Sequence, residues 1–171
     1  MQRKFKNVKI KLVILDLDGT IWDHLDISSL NPPFKVLNDN LIADSKGVKV
    51  RLCDGVRELL ETIKNSNLLL SIASWNIRDV AIEALKAFNI LEYFIKPKIE
   101  PHPRKDIMIL KLLAELKSEG LKIKPEEILY VDDRDIHLKG ILRNVGKVRF
   151  VHMWKDVQNH YELINMILNL I

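Results

Sequence analysis

Residues 11–22, KLVILDLDGTIW, are the stretch that decides the fold. An apolar run typical of a buried strand ends in two carboxylates, Asp16 and Asp18, and Gly19 then indicates that the strand opens into a turn. The carboxyl ends of parallel strands form the edge at which open α/β folds bind ligands. Two carboxylates held close together repel each other and favour a divalent cation. The motif therefore predicts Mg²⁺ chemistry at the edge of a parallel sheet.

Further apolar runs along the chain predict the remaining strands of this sheet. They lack the polar alternation of a half-exposed strand, as expected for parallel strands that are covered on both faces. Strands are predicted at residues 8–15, 68–73, 128–131 and 148–153, with a weaker one near 93–95. Helical patterns alternate with them at about residues 54–63, 77–88, 105–118, 136–144 and 156–170, with Asp54 and Asn76 as N-caps of the first two. This alternation predicts an α/β fold, in which a three-layer, Rossmann-like, mainly parallel sheet has helices on both faces.

One segment, residues 23–52, interrupts the alternation between the first strand and the first helix. It contains the proline pair of PPF at 32–34 and a turn-like stretch at 44–47 between short apolar runs. These features predict a β-hairpin that forms a small flap or cap beside the two acids. The length of 171 residues fits a single domain, residues 1–171, in which the flap is an insertion.

Composition limits the classes of partner. Hydrophobic residues make up 47% of the chain and charged residues 29%, which is ordinary for a globular protein. The basic residues behind the net charge of +4 are spread along the sequence and form no stripe, so no nucleic-acid partner is predicted. No apolar segment approaches the roughly 20 residues that span a bilayer, so no membrane partner is predicted either.

The N-terminal segment and the cysteine content bear on location. MQRKFKNVKIKLVIL is basic and then apolar, but its apolar run is too short for a signal peptide, so it predicts a solvated lead-in to the first strand. The single cysteine, Cys53, has no partner for an internal disulfide and no Cys-x-x-Cys spacing for zinc. A reducing compartment and a cytoplasmic location are therefore expected.

Three more chemistry-bearing positions each follow a predicted strand. Ser74 comes after LLLSIA, Lys105 begins a helix after the IKPKIEPHPR connection, and the pair Asp132 and Asp133 follows ILYV. Taken singly, an Asp or Ser after a strand is usually a helix cap, and a Lys at a helix start is usually a solvated charge. Their joint occurrence at successive strand ends instead predicts one site, shared with the acids of DLD.

The order of these motifs, and DLDGT in particular, resembles the haloacid dehalogenase (HAD) superfamily of phosphohydrolases with an aspartate nucleophile. Trp22, PPF at 32–34, VRL at 50–52, SWN at 74–76 and DDRD at 132–135 are similar to the small magnesium-dependent phosphatases of that superfamily. The resemblance extends over nearly the whole chain. It implies a HAD-like fold and a Mg²⁺-dependent phosphomonoester hydrolase.

The resemblance also implies roles for the acids. Asp16 would attack phosphorus and form an aspartyl-phosphate, while Asp18 would protonate the leaving oxygen and later take a proton from water. That double role requires the surroundings of Asp18 to raise its pKa. Mg²⁺ would lie between Asp16, the backbone carbonyl of Asp18 and the carboxylate of Asp133.

Contacts to the phosphoryl group are implied as well. Ser74 would donate a hydrogen bond to the transferring group. Further donors would be the backbone amides of Leu17, Asp18 and Trp75. Trp75 stands where relatives often carry arginine, which leaves the substrate specificity open.

The cation of the site would be Lys105, which would neutralise charge on the nucleophile and the phosphoryl oxygens. Asp132 would orient Lys105 instead of binding the metal. Arg104 is adjacent, and either cation could fill this role. Lys105 is preferred because lysine is usual at the start of this helix in the resembled family.

The resembled phosphatases act on phosphotyrosine and on some phosphorylated sugar adducts, so a phosphorylated small molecule or a phosphoprotein is expected as the substrate. Two alternatives remain open. A receiver-like, non-enzymatic signalling domain also gathers acids, a hydroxyl residue and a lysine at strand ends, but its lysine comes last, whereas Lys105 precedes Asp132 and Asp133 here. A metal-free dehalogenase on the same scaffold has no use for a second acid such as Asp18.

Overall fold

The computed structural model of the protein describes residues 8–171. Its strands are β1 (Leu12–Leu15), β2 (Lys35–Asn38), β3 (Leu41–Ala43), β4 (Lys49–Arg51), β5 (Leu69–Trp75), β6 (Lys98–Glu100), β7 (Ile128–Asp132) and β8 (Arg149–His152). Its α-helices are α1 (Val56–Asn65), α2 (Arg78–Ala87), α3 (Lys105–Ser118), α4 (Leu138–Asn144) and α5 (His160–Leu168). The predicted N-terminal lead-in falls largely on residues 1–7, which lie outside the described residues.

Five parallel strands form the central sheet in the order β6, β5, β1, β7, β8. The middle strand β1 is fully buried, and its side chains alternate between two hydrophobic cores. Val13 and Leu15 belong to the core with α1, α2 and α5, whereas Leu12 and Ile14 belong to the core with α3 and α4. The predicted three-layer α/β architecture, with helices on both faces of a parallel sheet, is therefore confirmed.

The insertion between β1 and α1 begins with a short 3₁₀ turn (Ile27–Ser29) and forms a second sheet. The sequence predicts one hairpin there, but the chain makes two consecutive hairpins, so that β2, β3 and β4 form a three-stranded antiparallel sheet. The two ends of the insertion pair with each other, since Asp23 N donates to Arg51 O at 3.0 Å. This hydrogen bond places the end of the insertion next to its start, so the insertion stays beside the residues that follow β1.

The edge strand of the central sheet lies a few residues later than predicted. The sequence predicts a strand near 93–95, but a 3₁₀ turn (Leu91–Tyr93) is found there and β6 follows at Lys98–Glu100. This strand is short and two of its three residues are charged, as is common for sheet edges, so it gives no apolar run to detect.

The predicted helix boundaries agree best for α3, whereas the longest predicted helix, residues 156–170, is observed as the shorter α5. Helix α3 begins and ends at the predicted residues. The capping predictions for Asp54 and Asn76 are wrong, because Gly55 and Ile77 are the residues at the N-cap positions of α1 and α2.

Within the part of the chain described, no helix combines the length and the apolar character that crossing a bilayer requires.

Candidate active site at the carboxyl edge of the sheet

The predicted acids meet at the carboxyl edge of the central sheet. Asp16 follows β1 directly, Asp132 ends β7, and Asp133 comes next. Strands β1 and β7 are neighbours, and Asp16 N donates to Val131 O at 2.9 Å, which holds the two strand ends side by side. Each of the three acids offers one carboxylate oxygen, and these oxygens lie within 4.8 Å of one another. An all-oxygen set of this kind suits a hard cation such as Mg²⁺.

Lys105 is the cation of this cluster. As the first residue of α3, it brings Nζ to 2.6 Å from Asp16 Oδ1 and to 2.6 Å from Asp132 Oδ2. Its side chain is fully buried. Burial alone would lower the pKa of Lys105, but the charges of Asp16 and Asp132 outweigh burial and raise that pKa. Lys105 is therefore charged at neutral pH, and its charge is shared by two acids.

The surroundings affect the pKa of each acid differently. Burial raises the pKa of Asp16 to about 7, although the charge of Lys105 opposes this. Burial and the neighbouring Asp132 also raise the pKa of Asp133. Burial would raise the pKa of Asp132 as well, but the charge and hydrogen bond of Lys105 and the hydroxyl of Tyr130 lower it. Asp132 is thus the ionised partner of Lys105, whereas Asp16 and Asp133 gain most from an additional cation.

Asp18 lies beside the cluster, but its carboxylate is held separately. Oδ1 accepts hydrogen bonds from Trp22 Nε1 at 2.8 Å and Ile27 N at 3.2 Å, and Oδ2 accepts one from Asn76 Nδ2 at 2.9 Å. Burial raises the pKa of Asp18 although these hydrogen bonds oppose it. A raised pKa is what the predicted role of Asp18 as a proton donor requires. Among the described side chains, its carboxylate is not part of the ligand cluster, and the sequence assigns only its backbone carbonyl to the metal.

Ser74, near the end of β5, is buried beneath Asn76. Its Oγ accepts a hydrogen bond from Asn76 Nδ2 at 2.8 Å. Asn76 Oδ1 in turn accepts one from Ser28 Oγ of the insertion at 2.6 Å. The sequence predicts Asn76 only as a helix cap, whereas its side chain joins Ser74, Asp18 and the insertion. Donation from Ser74 to a phosphoryl group stays a prediction.

The other predicted phosphoryl contacts are backbone amides. The side chain of Leu17 is fully buried, and its carbonyl accepts hydrogen bonds from Thr20 N and Ile21 N, which form the turn after β1. Trp75 ends β5 with its side chain 46% exposed. Donation from the amides of Leu17, Asp18 and Trp75 to a phosphoryl group also stays a prediction.

Arg104, the other cation that the sequence leaves open, is engaged elsewhere. Its guanidinium donates to both carboxylate oxygens of Asp106, at 2.9 Å and 2.7 Å, and its side chain is 57% exposed. Of the two adjacent cations, Lys105 is the one that contacts Asp16.

Two residues of the turn after β1, Gly19 and Thr20, also shape the cluster, although the sequence predicts only a turn at Gly19 and no role for Thr20. Thr20 Oγ1 accepts a hydrogen bond from Asp133 N at 3.1 Å and lies 3.3 Å from Asp16 Oδ2 and 3.4 Å from Asp133 Oδ1. Gly19 has a φ of +67°, and a Cβ built there would lie 2.6 Å from Asp133 Oδ2. A side chain at residue 19 would therefore displace a predicted metal ligand. In the sequence, only their position in the DLDGT motif marks these two residues as part of the site.

We expect Gly19→Ala to weaken the metal site more than it weakens the fold. The left-handed backbone costs a residue with a Cβ about 1–2 kcal/mol, and the new methyl group would push Asp133 aside. The Mg²⁺ concentration for half-maximal activity should rise about tenfold or more, as for changes that reorient metal ligands. Gly47→Ala is the control, because Gly47 has a φ of +86° but nothing within 4 Å of an added Cβ. Equal Mg²⁺ midpoints in the two variants would contradict this expectation.

Side chains from the C-terminal part of the chain hold the backbone of the same turn. Trp154 Nε1 donates to Gly19 O at 2.7 Å, and His160 Nε2 donates to Thr20 O at 2.8 Å. The two rings contact each other edge to face, with their centroids 5.5 Å apart. Because neither residue has a recognisable spacing in the sequence, only the fold reveals that they support the turn.

Similar proteins are found both by sequence and by structure. A family profile described as Acid Phosphatase matches residues 9–152. The human protein "Magnesium-dependent phosphatase 1" is 30% identical over 92 residues, which are 53% of this chain and 52% of that protein. The chain therefore spans about half the length of this curated relative.

Solved structures show the same fold. A HAD-superfamily hydrolase of subfamily IA from Geobacter sulfurreducens superposes with a TM-score of 0.63 at 18% identity, over 92% of this chain and 96% of that one. The N-terminal part of a Bacteroides fragilis protein, containing a phosphatase domain and complexed with Mg, superposes with a TM-score of 0.63 at 17% identity, over 96% of this chain and 41% of that one. Identities this low establish the fold alone, and the predicted HAD-like fold is confirmed.

Proposed function

Because the chain belongs to the acid phosphatase family and has the HAD fold, we propose that it is a Mg²⁺-dependent phosphomonoester hydrolase that acts through an aspartyl-phosphate. The observation that carries this proposal is the buried contact of Lys105 with Asp16, next to an Asp18 whose pKa is raised. A nucleophile, a cation and a proton donor are thus present together. The relative named as a magnesium-dependent phosphatase supports the choice of metal.

The metal ligands of the proposal are the carboxylates of Asp16 and Asp133 and the backbone carbonyl of Asp18. The clustered carboxylate oxygens, within 4.8 Å of one another, fit an oxygen-liganded cation. When bound, Mg²⁺ supplies positive charge that lets an anionic carboxylate approach an anionic phosphoryl group.

Asp132 is the partner of Lys105 in this scheme and not a metal ligand. Its Oδ2 accepts hydrogen bonds from Lys105 Nζ and the Tyr130 hydroxyl, and its Oδ1 accepts one from Arg134 N at 3.0 Å. Both oxygens of Asp132 therefore already have donors. Burial and the charge of Asp132 raise the pKa of Asp133, so a bound cation would stabilise the ionised form of Asp133.

In the first step, a carboxylate oxygen of Asp16 forms a bond to phosphorus as the bond between phosphorus and the leaving oxygen breaks. Asp18 gives its proton to that oxygen, so the alcohol leaves uncharged. Lys105 balances charge on Asp16 and keeps it oriented. In the second step, Asp18 takes a proton from water, and the water oxygen attacks phosphorus. The bond to Asp16 then breaks, which releases phosphate and restores both acids.

The substrate proposal is phosphotyrosine or a phosphorylated sugar adduct, as the family resemblance implies. The insertion adds only a three-stranded sheet, so no large cap covers the site within the described residues, which favours a phosphate carried on a protein.

Neither a nucleic acid nor a membrane is a partner in this proposal. Cytoplasmic location also stays a prediction, which depends on the single cysteine, Cys53.

A direct assay tests the proposal. The purified protein should hydrolyse 4-nitrophenyl phosphate with Mg²⁺, and chelation by EDTA should reduce the rate by at least about tenfold, because the metal neutralises the charge of the reacting groups. Parallel assays with a phosphotyrosyl peptide and with sugar phosphates would rank the substrate classes. Turnover that survives EDTA would contradict the metal requirement, and a long-lived phosphorylated protein that releases no phosphate would favour a receiver-like domain instead.

A further inference from the structure

An open cleft of about 360 Å³ lies beside Asp18. Its lining comes from the insertion, the end of β5, the connection after β6 and the turn after β7. If Asp18 protonates the leaving oxygen, the alcohol part of the substrate must occupy the space that Asp18 lines. The other residues of the cleft therefore determine which alcohol is accepted.

Large apolar side chains remain exposed around this cleft. Leu25 is 78% exposed, Ile77 is 50% exposed and Trp75 is 46% exposed, and all three line it. Exposed apolar side chains gathered at one concave surface mark a binding site, whereas scattered ones are ordinary. The indole of Trp75 offers a flat face, on which an aromatic group packs well.

Arg134 adds a positive charge to the same cleft. In the described part of the chain its guanidinium forms no salt bridge, in contrast to Arg104, which is paired with Asp106. The carboxylate of Asp26, another charge of the cleft, accepts a hydrogen bond from Ser28 N at 3.1 Å and so caps the turn of the insertion. Arg134 is thus not held in a salt bridge among the described residues, although its charge lowers the pKa of the neighbouring Asp133. Guanidinium groups bind carboxylates through paired hydrogen bonds, so Arg134 can pair with a carboxylate that enters this opening.

We propose that Trp75 and Arg134 select aryl phosphates that have a carboxylate on the ring or close beside it. The ring would pack on Trp75 and the carboxylate would pair with Arg134, while the phosphoryl group reaches Asp16. This inference rests on the proposed function, because it assigns the leaving group to the cleft beside Asp18. It narrows the substrate class from phosphomonoesters in general to those with a flat apolar part and a second negative charge.

Arg134 could instead contact the transferring phosphoryl group itself, and the two roles have different consequences. A contact with the phosphoryl group would matter equally for every substrate. A contact with the ring substituent would matter only for substrates with a charged substituent, since an uncharged one leaves Arg134 in water. A pair of substrates that differ only in this charge therefore separates the roles.

The experiment compares 4-carboxyphenyl phosphate with 4-carbamoylphenyl phosphate, whose substituent has a similar shape but no charge. We expect Arg134→Gln to lower kcat/KM for the carboxylate about tenfold more than for the amide, chiefly through KM, because one charged hydrogen-bonded contact is lost. Trp75→Ala should lower kcat/KM for both aryl substrates but not for glycerol 3-phosphate. Arg143→Gln, which removes an equal charge from the exposed last turn of α4, should leave the ratio unchanged.

The outcomes distinguish this inference from the proposed function. If Arg134→Gln lowers kcat/KM equally for both aryl substrates, or for neither, the inference is wrong even though the protein is a phosphatase. If neither substrate is turned over, the non-hydrolysable 4-carboxybenzylphosphonate still reports on binding. Its affinity should exceed that of the carbamoyl analogue only when Arg134 is present, and equal affinities would overturn the inference.

Discussion

Asp16→Asn is expected to abolish turnover while the fold is retained. The amide of asparagine is a far weaker nucleophile than a carboxylate, and loss of an attacking group costs enzymes of this kind at least about 10⁴-fold in kcat. The substitution keeps the side-chain shape at the buried position beside Lys105 and removes one negative charge from a crowded group of acids. Circular dichroism and a thermal melt should therefore match the parent protein. Asp135→Asn, at an exposed position after β7, is the control that should keep full activity.

Direct detection of the intermediate complements this result. With 4-nitrophenyl phosphate the leaving oxygen needs no proton, so Asp18→Asn should still form the aspartyl-phosphate but should hydrolyse it slowly. Mass spectrometry after an acid quench should then find a phosphorylated peptide containing Asp16, which Asp16→Asn should not yield. A rate for Asp16→Asn equal to that of the parent protein would refute the assignment of the nucleophile.

Lys105→Met is expected to affect both stability and activity. Removal of one partner from a buried ion pair costs about 3–5 kcal/mol in the free energy of unfolding, because the remaining charge is left buried without a partner. Here two acids, Asp16 and Asp132, would lose their cation. The activity should fall about 10²–10³-fold, as it does when a preorganised charge-stabilising group is lost. Urea unfolding in EDTA, followed by tryptophan fluorescence, measures the stability change.

Lys111→Met is the matched control for this experiment. Lys111 lies on the same helix and pairs with Glu100, but its side chain is 52% exposed. An exposed pair contributes at most about 1 kcal/mol, so this variant should remain close to the parent protein in stability and rate. If both variants lose the same small amount of stability, the buried charge of Lys105 does not hold the cluster together.

The stability of Lys105→Met should also depend on pH in a defined direction. Burial already raises the pKa of Asp16 to about 7, above its ordinary value of 3.8, and loss of the opposing charge of Lys105 would raise it further. An acid with a raised pKa in the folded state stabilises the fold at low pH, and this contribution is lost as the pH rises through the folded pKa. The deficit relative to the parent protein should therefore be smaller at pH 5 than at pH 8.

The parts of the fold with strong periodic signals could be predicted from the sequence. The apolar run at residues 8–15 contains the fully buried β1, and the helical pattern at 105–118 matches α3, because one side of that helix is buried along its length. Since parallel strands end at one edge, placing Asp16 and Asp133 after two such strands was enough to bring them together. The edge strand β6 could not be placed, because it is short and charged and its position depends on pairing with β5.

The side-chain network around the acids could not be predicted, because it depends on contacts between distant parts of the chain. Local preference makes Asn76 a helix cap. In the fold, its amide instead contacts Asp18, which is 58 positions away, and Ser28, which is 48 positions away. Such contacts override a capping preference that is worth only about 1 kcal/mol. The role of Gly19 is likewise visible only once Asp133 is seen next to it.

The hydrogen bonds from Trp154 and His160 to the turn after β1 span 135 and 140 positions of the sequence. Every acid of the site is present by Asp133, yet both donors to the carbonyls of that turn lie after β8, one in the connection to α5 and one at the first residue of α5. The support of this turn therefore depends on the docking of the C-terminal segment. A chain in which β1 and β7 were paired but this segment was undocked would have every acid in place, beside a turn without its two side-chain donors.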